Sequence, residues 1–290
     1  DPEWPAQDLD PGVISPDGRR IAYGVETEDA NDIWVHEMPS GPRTRLTPPG
    51  AGRAYDPVWT PDGSALVYGV DANTGGSILR IRADGSSPAP DTLLRSETVR
   101  PFYPQLTPDG SGVVFNGGGQ GRDIYRYEFG ANAPDVLWAT SFGEAAPTVS
   151  PDGRWLAYTS DITGQLEVFV RPYPDVERGR TQVSNGGGAE PVWGKSTAEL
   201  YYRGEGGLTS AAYRADSTFV VESRTVLFEY GEDYIVRYNG RSYDVADDDQ
   251  RFLAVRRAPS EGSDPTETRR MILVQNWFTE LRDRLGEGND

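Results

Sequence analysis

The sequence predicts an all-β fold: a six-bladed β-propeller of four-stranded antiparallel blades, with a short C-terminal helix. Three observations predict it. The tetrapeptides Ser15-Pro16-Asp17-Gly18, Thr60-Pro61-Asp62-Gly63, Thr107-Pro108-Asp109-Gly110 and Ser150-Pro151-Asp152-Gly153 recur at spacings of 45, 47 and 43 residues. A fixed period in that range marks a repeat architecture, and about 40–45 residues suit one four-stranded blade. Each turn is followed by the same kind of strand: Ile21-Ala22-Tyr23, Leu66-Val67-Tyr68, Val113-Val114-Phe115 and Leu156-Ala157-Tyr158. Two further units keep the strand and lose the turn. Pro191-Val192-Trp193-Gly194 matches Pro57-Val58-Trp59-Thr60 and brings Leu200-Tyr201-Tyr202 onto Leu66-Val67-Tyr68; Asp244-Val245-Ala246 leads to Phe252-Leu253-Ala254-Val255.

Within the second unit, strands are expected over 57–60, 65–70, 77–82 and 91–94. Each is rich in β-branched or aromatic residues and bounded by Gly, Pro, Asp or Ser. The Pro-Asp-Gly piece suits a tight hairpin, because Pro presets φ, Asp accepts backbone N–H groups and Gly takes positive φ. A carboxylate that recurs in every unit therefore reads as turn chemistry rather than catalysis. First strands are expected near residues 12, 56, 103, 146, 190 and 243. In the fifth unit Gly194-Lys195-Ser196-Thr197 replaces the turn sequence, which leaves the geometry there open. The sixth unit has a third strand at Met271-Ile272-Leu273-Val274 and no fourth. Residues 1–11 form an N-terminal extension that makes a poor closing strand, unless that strand lies upstream of this chain. The propeller is expected over 12–275, and 276–290 as helix and tail. Asn276 can cap the helix, with Trp277, Leu281 and Leu285 on one face, packed on the propeller's own rim.

Formal charge is −17 and the pI is near 4.5. Such a surface repels phosphate backbones and anionic lipid, so no nucleic-acid partner is expected. There are no cysteines, hence no disulfide framework and no thiol nucleophile. No apolar run approaches a membrane span and no signal peptide is present. The chain begins with Asp1 rather than Met, the mark of a processed or excised piece.

Ser150 to Tyr158, read Ser-Pro-Asp-Gly-Arg-Trp-Leu-Ala-Tyr, resembles the WD-like repeats of TolB-type propellers. So do Glu167-Val168-Phe169-Val170-Arg171-Pro172-Tyr173-Pro174, Gln182-Val183-Ser184-Asn185-Gly186-Gly187-Gly188 with Glu190-Pro191-Val192-Trp193, Tyr243-Asp244-Val245 with Arg251-Phe252-Leu253-Ala254-Val255, and Gln275-Asn276-Trp277-Phe278-Thr279-Glu280-Leu281. Together they resemble the C-terminal, often extracytoplasmic propeller of bacterial multidomain proteins such as serine/threonine kinases. The resemblance covers about residues 12–285. It implies a fold and an interaction or sensing role. Kinase motifs themselves are absent.

Nucleophilic catalysis finds little support. The only histidine is His36, at the end of a predicted third strand, and no Gly-x-Ser-x-Gly elbow occurs. Metal sites built on several His or Cys are impossible, so no metal and no cofactor are expected. The Gly runs at 117–121 and 186–188 lack the Lys-Ser/Thr of a phosphate cradle. The chain is expected not to be an enzyme. The alternative is a propeller that binds or hydrolyses glycans through carboxylates.

The residues before the turns, Ile14, Trp59, Leu106, Val149, Trp193 and Val245, are all apolar and should pack between blades. The opposite parity then faces the channel. One ring holds Val13, Val58, Gln105, Thr148, Val192 and Asp244; the next includes Asp56, Tyr103, Glu190 and Ser242. Asp56, Tyr103, Gln105, Glu190 and Asp244 are the candidate ligand-binding residues, for a cation or a polar ligand with donors; the alternative is a water-filled channel with solvated carboxylates. A second candidate surface is the connection from 229 to 242, where Tyr230, Tyr234, Arg237, Tyr238 and Arg241 are candidate partner-binding residues. The expected function is non-catalytic protein–protein interaction, as a sensor, docking module or accessory subunit. The expected partner is another protein, a membrane-associated complex among the candidates. The expected location is extracytoplasmic, in the periplasm or cell envelope.

Overall fold

The computed structural model describes residues 8–9, 11–26, 31–48, 52–71, 75–117, 123–231, 234–236, 241–257 and 269–275. The expected C-terminal helix, Arg237 and Tyr238 lie outside them. The described residues form six antiparallel sheets. The first joins Asp8–Leu9 and Val13–Ile14, both paired with Arg20–Glu26, to Asn31–Glu37 and Arg43–Arg45. The second runs Ala54–Trp59, Ala65–Asp71, Gly76–Arg82 and Asp91–Ser96. The third runs Phe102–Leu106, Gly112–Gly117, Asp123–Glu128 and Asp135–Trp138. The fourth runs Glu144–Val149, Trp155–Ser160, Glu167–Pro172 and Thr181–Gln182. The fifth runs Gly188–Trp193, Glu199–Gly204, Gly207–Ala215 and Phe219–Phe228. The sixth has three strands, Tyr243–Val245, Arg251–Arg257 and Arg269–Gln275. Strands therefore depart from four per sheet at both ends of the chain. Asp8–Leu9 extends the inner edge of the first sheet instead of closing the sixth.

The four repeated turns share one hydrogen-bond pattern. The Ser or Thr hydroxyl donates to the Asp carboxylate, at 2.5 Å in Ser15–Asp17 and Ser150–Asp152 and 2.6 Å in Thr60–Asp62 and Thr107–Asp109. The same carboxylate accepts the N–H of Arg19, Ser64, Ser111 or Arg154. Gly18, Gly63, Gly110 and Gly153 take φ of 66° to 70°, the left-handed region that glycine enters without a Cβ clash. These Asp residues are turn chemistry. The Thr60 hydroxyl and the Ser64 N–H hold the Asp62 carboxyl down to about 2.

The inner strands carry a second regularity that no local motif announces. Asp56, Tyr103, Ala146 and Glu190 sit at bulges with φ of 49° to 59°. Left-handed φ costs a non-glycine residue about 1 kcal/mol. At three of these bulges the N–H is turned toward the preceding sheet, and a side chain there accepts it. Tyr103 N donates to Asp56 (3.2 Å), Ala146 N to Asn116 (2.8 Å) and Glu190 N to Thr159 (3.1 Å). Ser242 N donates to Glu190 (2.8 Å) at the equivalent position of the sixth sheet.

Apolar side chains fill the spaces between consecutive sheets. Val13, Val35, Trp59, Leu66 and Tyr68 join the first to the second; Trp155, Val170, Val183, Trp193 and Phe219 join the fourth to the fifth. Two tryptophans also bond across: Trp59 Nε1 donates to Val13 O (3.0 Å) and Trp193 Nε1 to Thr148 O (3.1 Å). The sixth sheet packs on the first through Ile14, Tyr23, Ala246 and Leu253. There Ile14 N donates to Asp244 (2.7 Å) and Arg251 Nη1 to Gly18 O (3.0 Å).

Candidate functional site

The inner strands place Val13, Val58, Gln105, Thr148, Val192 and Asp244 at one level around a common cavity of about 310 Å³. Turn residues Pro16, Pro61, Pro108, Pro151, Lys195 and Asp247 form its rim. Its floor is Arg241. The guanidinium donates from Nη1 to Asp244 Oδ1 (2.8 Å) and from Nη2 to Gln105 Oε1 (2.6 Å), so it spans from the sixth sheet to the third. Below it lies a much smaller void lined by Tyr103, Gln105, Ala146, Glu190 and Arg241. Arg241 thus crosses the channel between a larger cup on the turn side and a narrow space beyond.

The structure brings four of the five expected ligand residues to Arg241 or to the void beneath it, and employs the carboxylates in bonds between sheets. Asp244 Oδ2 accepts Ile14 N while Oδ1 holds Arg241. Burial pushes the Asp244 carboxyl up, opposed by the Arg241 guanidinium and the Ile14 N–H. Glu190 Oε1 binds Arg203 (2.9 and 3.1 Å) and Oε2 accepts Ser242 N. Asp56 accepts Tyr103 N. Among the described residues no group of three or more His, Cys, Asp or Glu is placed to hold a metal ion. The cup combines apolar walls at Val13, Val58, Leu106 and Val192 with the hydroxyl of Thr148 and a guanidinium with further N–H groups to donate. It suits an uncharged or mixed-polarity group inserted from the rim.

The described part of the 229–242 connection is wired into the fold. Tyr234 bridges to Arg256 and Ile235 N donates to Val255 O, so the segment continues the inner edge of the sixth sheet. Tyr230 packs edge-on against Tyr234 at 4.9 Å and against Phe228 at 5.7 Å, with its hydroxyl buried. Arg241, expected on an outer rim, points into the channel. Tyr234 remains partly exposed beside Tyr230. Sequence reasoning missed Arg241's role because its two acceptors lie 3 and 136 residues away.

The fifth turn is completed from outside. Asp249, fully buried, accepts Lys195 N (3.0 Å), Ser196 N (2.7 Å), Thr197 N (2.8 Å) and Thr197 Oγ1 (2.8 Å). A Cβ on Gly194 would lie 2.8 Å from Thr197 Oγ1, 3.0 Å from Glu199 O and 3.1 Å from this carboxylate. Thr197 Oγ1, which donates to Asp249, and the carboxylate itself thus crowd position 194, where the four repeated turns carry Ser or Thr.

The family model described as the TolB β-propeller domain matches residues 10–214. An uncharacterised protein of Agrobacterium fabrum is 34% identical over 101 residues, 35% of this chain and 33% of that protein. A Bacillus subtilis protein named as an uncharacterised peptidase is 28% identical over 177 residues, 56% of this chain and 22% of that protein. The chain spans a third or less of the length of these curated relatives. Among solved structures, one described as a TolB of Agrobacterium tumefaciens superposes with a TM-score of 0.60 at 16% identity, over 77% of this chain and 81% of that one. A puromycin-hydrolysing peptidase of Mycobacterium tuberculosis gives 0.62 at 16%, over 93% and 52%. An oligogalacturonate lyase in complex with manganese gives 0.58 at 11%, over 91% and 88%. At such identities these likenesses show the fold. The peptidase and lyase names overturn the expectation that the chain is not an enzyme, because enzymes and TolB proteins alike carry this propeller.

Proposed function

The chain belongs to the TolB β-propeller family, and from that premise we propose that it is a six-bladed binding propeller that seats part of a partner protein in the cup above Arg241. The observation that carries this reading is the Arg241 bridge from Asp244 to Gln105, which turns an open channel into a cup of about 310 Å³ with a defined floor. Six sheets whose last packs on their first support the count of six blades. Rigid walls support insertion of a protruding side chain or turn, since a preformed pocket spares the ordering cost of binding. Tyr234, partly exposed at the inner edge of the sixth sheet, extends the proposed contact surface. The partner is a protein of the cell envelope, and the propeller works in the periplasm; an alkaline phosphatase fusion active only outside the cytoplasm would support that location.

The test uses the partner isolated with the native protein and then purified. Val58→Glu places a charge on the cup wall at a partly exposed position. Binding should weaken at least about tenfold, as for loss of a buried interface contact, with the thermal midpoint held. Unchanged affinity in that folded variant would move the interface away from the cup.

A second reading is supported by the mycobacterial peptidase, of whose chain this one covers 52%. In this second reading the chain is part of a longer protein, stands beside a hydrolase and governs access to it. Product release by the native full-length protein that changes with Val58→Glu, without a stable complex, would favour this reading over docking.

A further inference from the structure

Two of the turns hold an arginine from the preceding sheet. Arg20 Nη2 donates to Gly63 O (2.8 Å), with its guanidinium 4.6 Å from the Trp59 ring. Arg251 Nη1 donates to Gly18 O (3.0 Å), while its Nε and Nη2 hold Asp248 at 2.9 Å. Arg20 and Arg251 each open the second strand of their sheet. Arg251 thus spans two acceptors, the turn Asp of its own sheet and the turn Gly carbonyl of the next; Arg20 bonds the second of these, with its charge acting on Asp17.

At the junction of the third and fourth sheets the residue in that position is Gly112. Its Cβ direction is blocked by the Tyr127 carbonyl, so the chain offers no side chain of its own there. The two acceptors are present, the Gly153 carbonyl and Asp109, whose carboxylate also accepts the Thr107 and Ser111 hydroxyls and the Ser111 N–H, and nothing stands within 4 Å of where a Gly153 Cβ would be. A groove of about 540 Å³ opens between them, lined also by Glu128 and Tyr173. Its own cation, Arg126, is turned to Asp135 (3.5 Å) and stands beside Tyr173.

We propose that this groove is a docking site for an arginine side chain of a partner protein, which takes the place that Arg20 and Arg251 take at their junctions. The guanidinium fork meets Asp109 on one side and the Gly153 carbonyl on the other, as Arg251 meets Asp248 and Gly18. Its planar set of donors fits this divided seat, whereas an ammonium presents a point charge. A net charge of −17 favours the approach of a basic segment. The groove is separate from the cup, and the proposal does not depend on it.

The probe is the peptide acetyl-Gly-Arg-Gly-amide, with citrulline in place of Arg as control, titrated into ¹⁵N-labelled protein. The arginine peptide should shift the Ser111, Gly153 and Tyr173 amides, and the citrulline peptide should not. Asp109→Asn should weaken this at least about tenfold, the loss of one charge-assisted hydrogen bond. Arg20→Ala should open a second seat, adding shifts at Asp17 and Gly63 and a second equivalent of peptide. Val58→Glu should leave the titration unchanged. Shifts that are equal for both peptides, or that fall away from the groove, overturn the proposal. A folded Arg20→Ala protein that gains no second site overturns the stated geometry, whether or not Asp109→Asn folds.

Discussion

Removing Asp249 should cost far more than removing any other turn aspartate, because it serves a turn that is not its own. It accepts three backbone N–H groups and one hydroxyl of the fifth turn, at 2.7 to 3.0 Å, with no solvent exposure. A hydrogen bond to a charged group contributes about 1.5–3 kcal/mol, and a buried donor left unsatisfied costs about 1–3 kcal/mol. Water entering the vacated space restores part of this, so Asp249→Ala is expected to destabilise by about 4 kcal/mol. Asp249 also holds φ at 54°, which Asn tolerates better than Ala, so Asp249→Asn should lose about half as much. For a chain of this size about 4 kcal/mol lowers the thermal midpoint by roughly 8 °C. The assay is calorimetry or urea unfolding of each single variant, and of Asp249→Ala in a second background. In that background G194T, K195P, S196D and T197G together give the fifth turn the Thr-Pro-Asp-Gly sequence of the second and third. A self-sufficient turn no longer needs Asp249, so the loss on Asp249→Ala should shrink there by more than about 1 kcal/mol. Additive effects, or a loss below about 1 kcal/mol in the parent, would refute the role assigned to Gly194.

Trp193→Phe should destabilise by about 1–2 kcal/mol in urea unfolding, since it leaves the Thr148 carbonyl without its donor from the next sheet. His36 is buried, and burial holds its pKa below the ordinary value of 6.5. Its folded pKa is depressed, so its contribution is complete above about pH 6.5 and is lost as pH falls from there; the urea midpoint should drop between about pH 7 and pH 5.5, and drop less in His36→Gln. Glu144 shows the opposite sign. Burial raises its carboxyl above 4.5, with one oxygen bonded to Thr140 (2.6 Å) and the other buried without a partner. Its ionisation therefore opposes folding as pH rises, and Glu144→Gln should be neutral or stabilising by up to about 1 kcal/mol near pH 7. Asp62 should titrate near 2 by carboxyl-detected NMR and move toward its ordinary value in Thr60→Ala, which removes the hydroxyl donor.

What could be read from the sequence is what short stretches of chain decide. The repeated turns and the strands that follow them were legible because they depend on residues within about five positions of one another: Ser15 with Asp17 and Arg20, or Thr60 with Asp62 and Ala65. Alternation alone did not separate the channel residues from those between sheets, because Ile14, Leu106 and Val245 line the same cavity as Val13, Gln105 and Asp244. What those channel groups do emerged only when the sheets came together. Whether Asp244, Glu190 and Asp56 are ligands or clasps depends on N–H groups of other sheets, which the bulges aim at them. Arg241 reads as an exposed loop residue until Gln105, 136 residues away, is set opposite it. The fifth turn looks defective until Asp249 arrives from the next sheet to fill it. Gly112 looks ordinary until Arg20 and Arg251 show what its position holds elsewhere. In each case the local chain supplies a donor or a gap, and ring geometry supplies the partner. A one-dimensional pattern cannot contain that pairing, because hydrogen-bond reach is about 3 Å in space and unlimited along the chain.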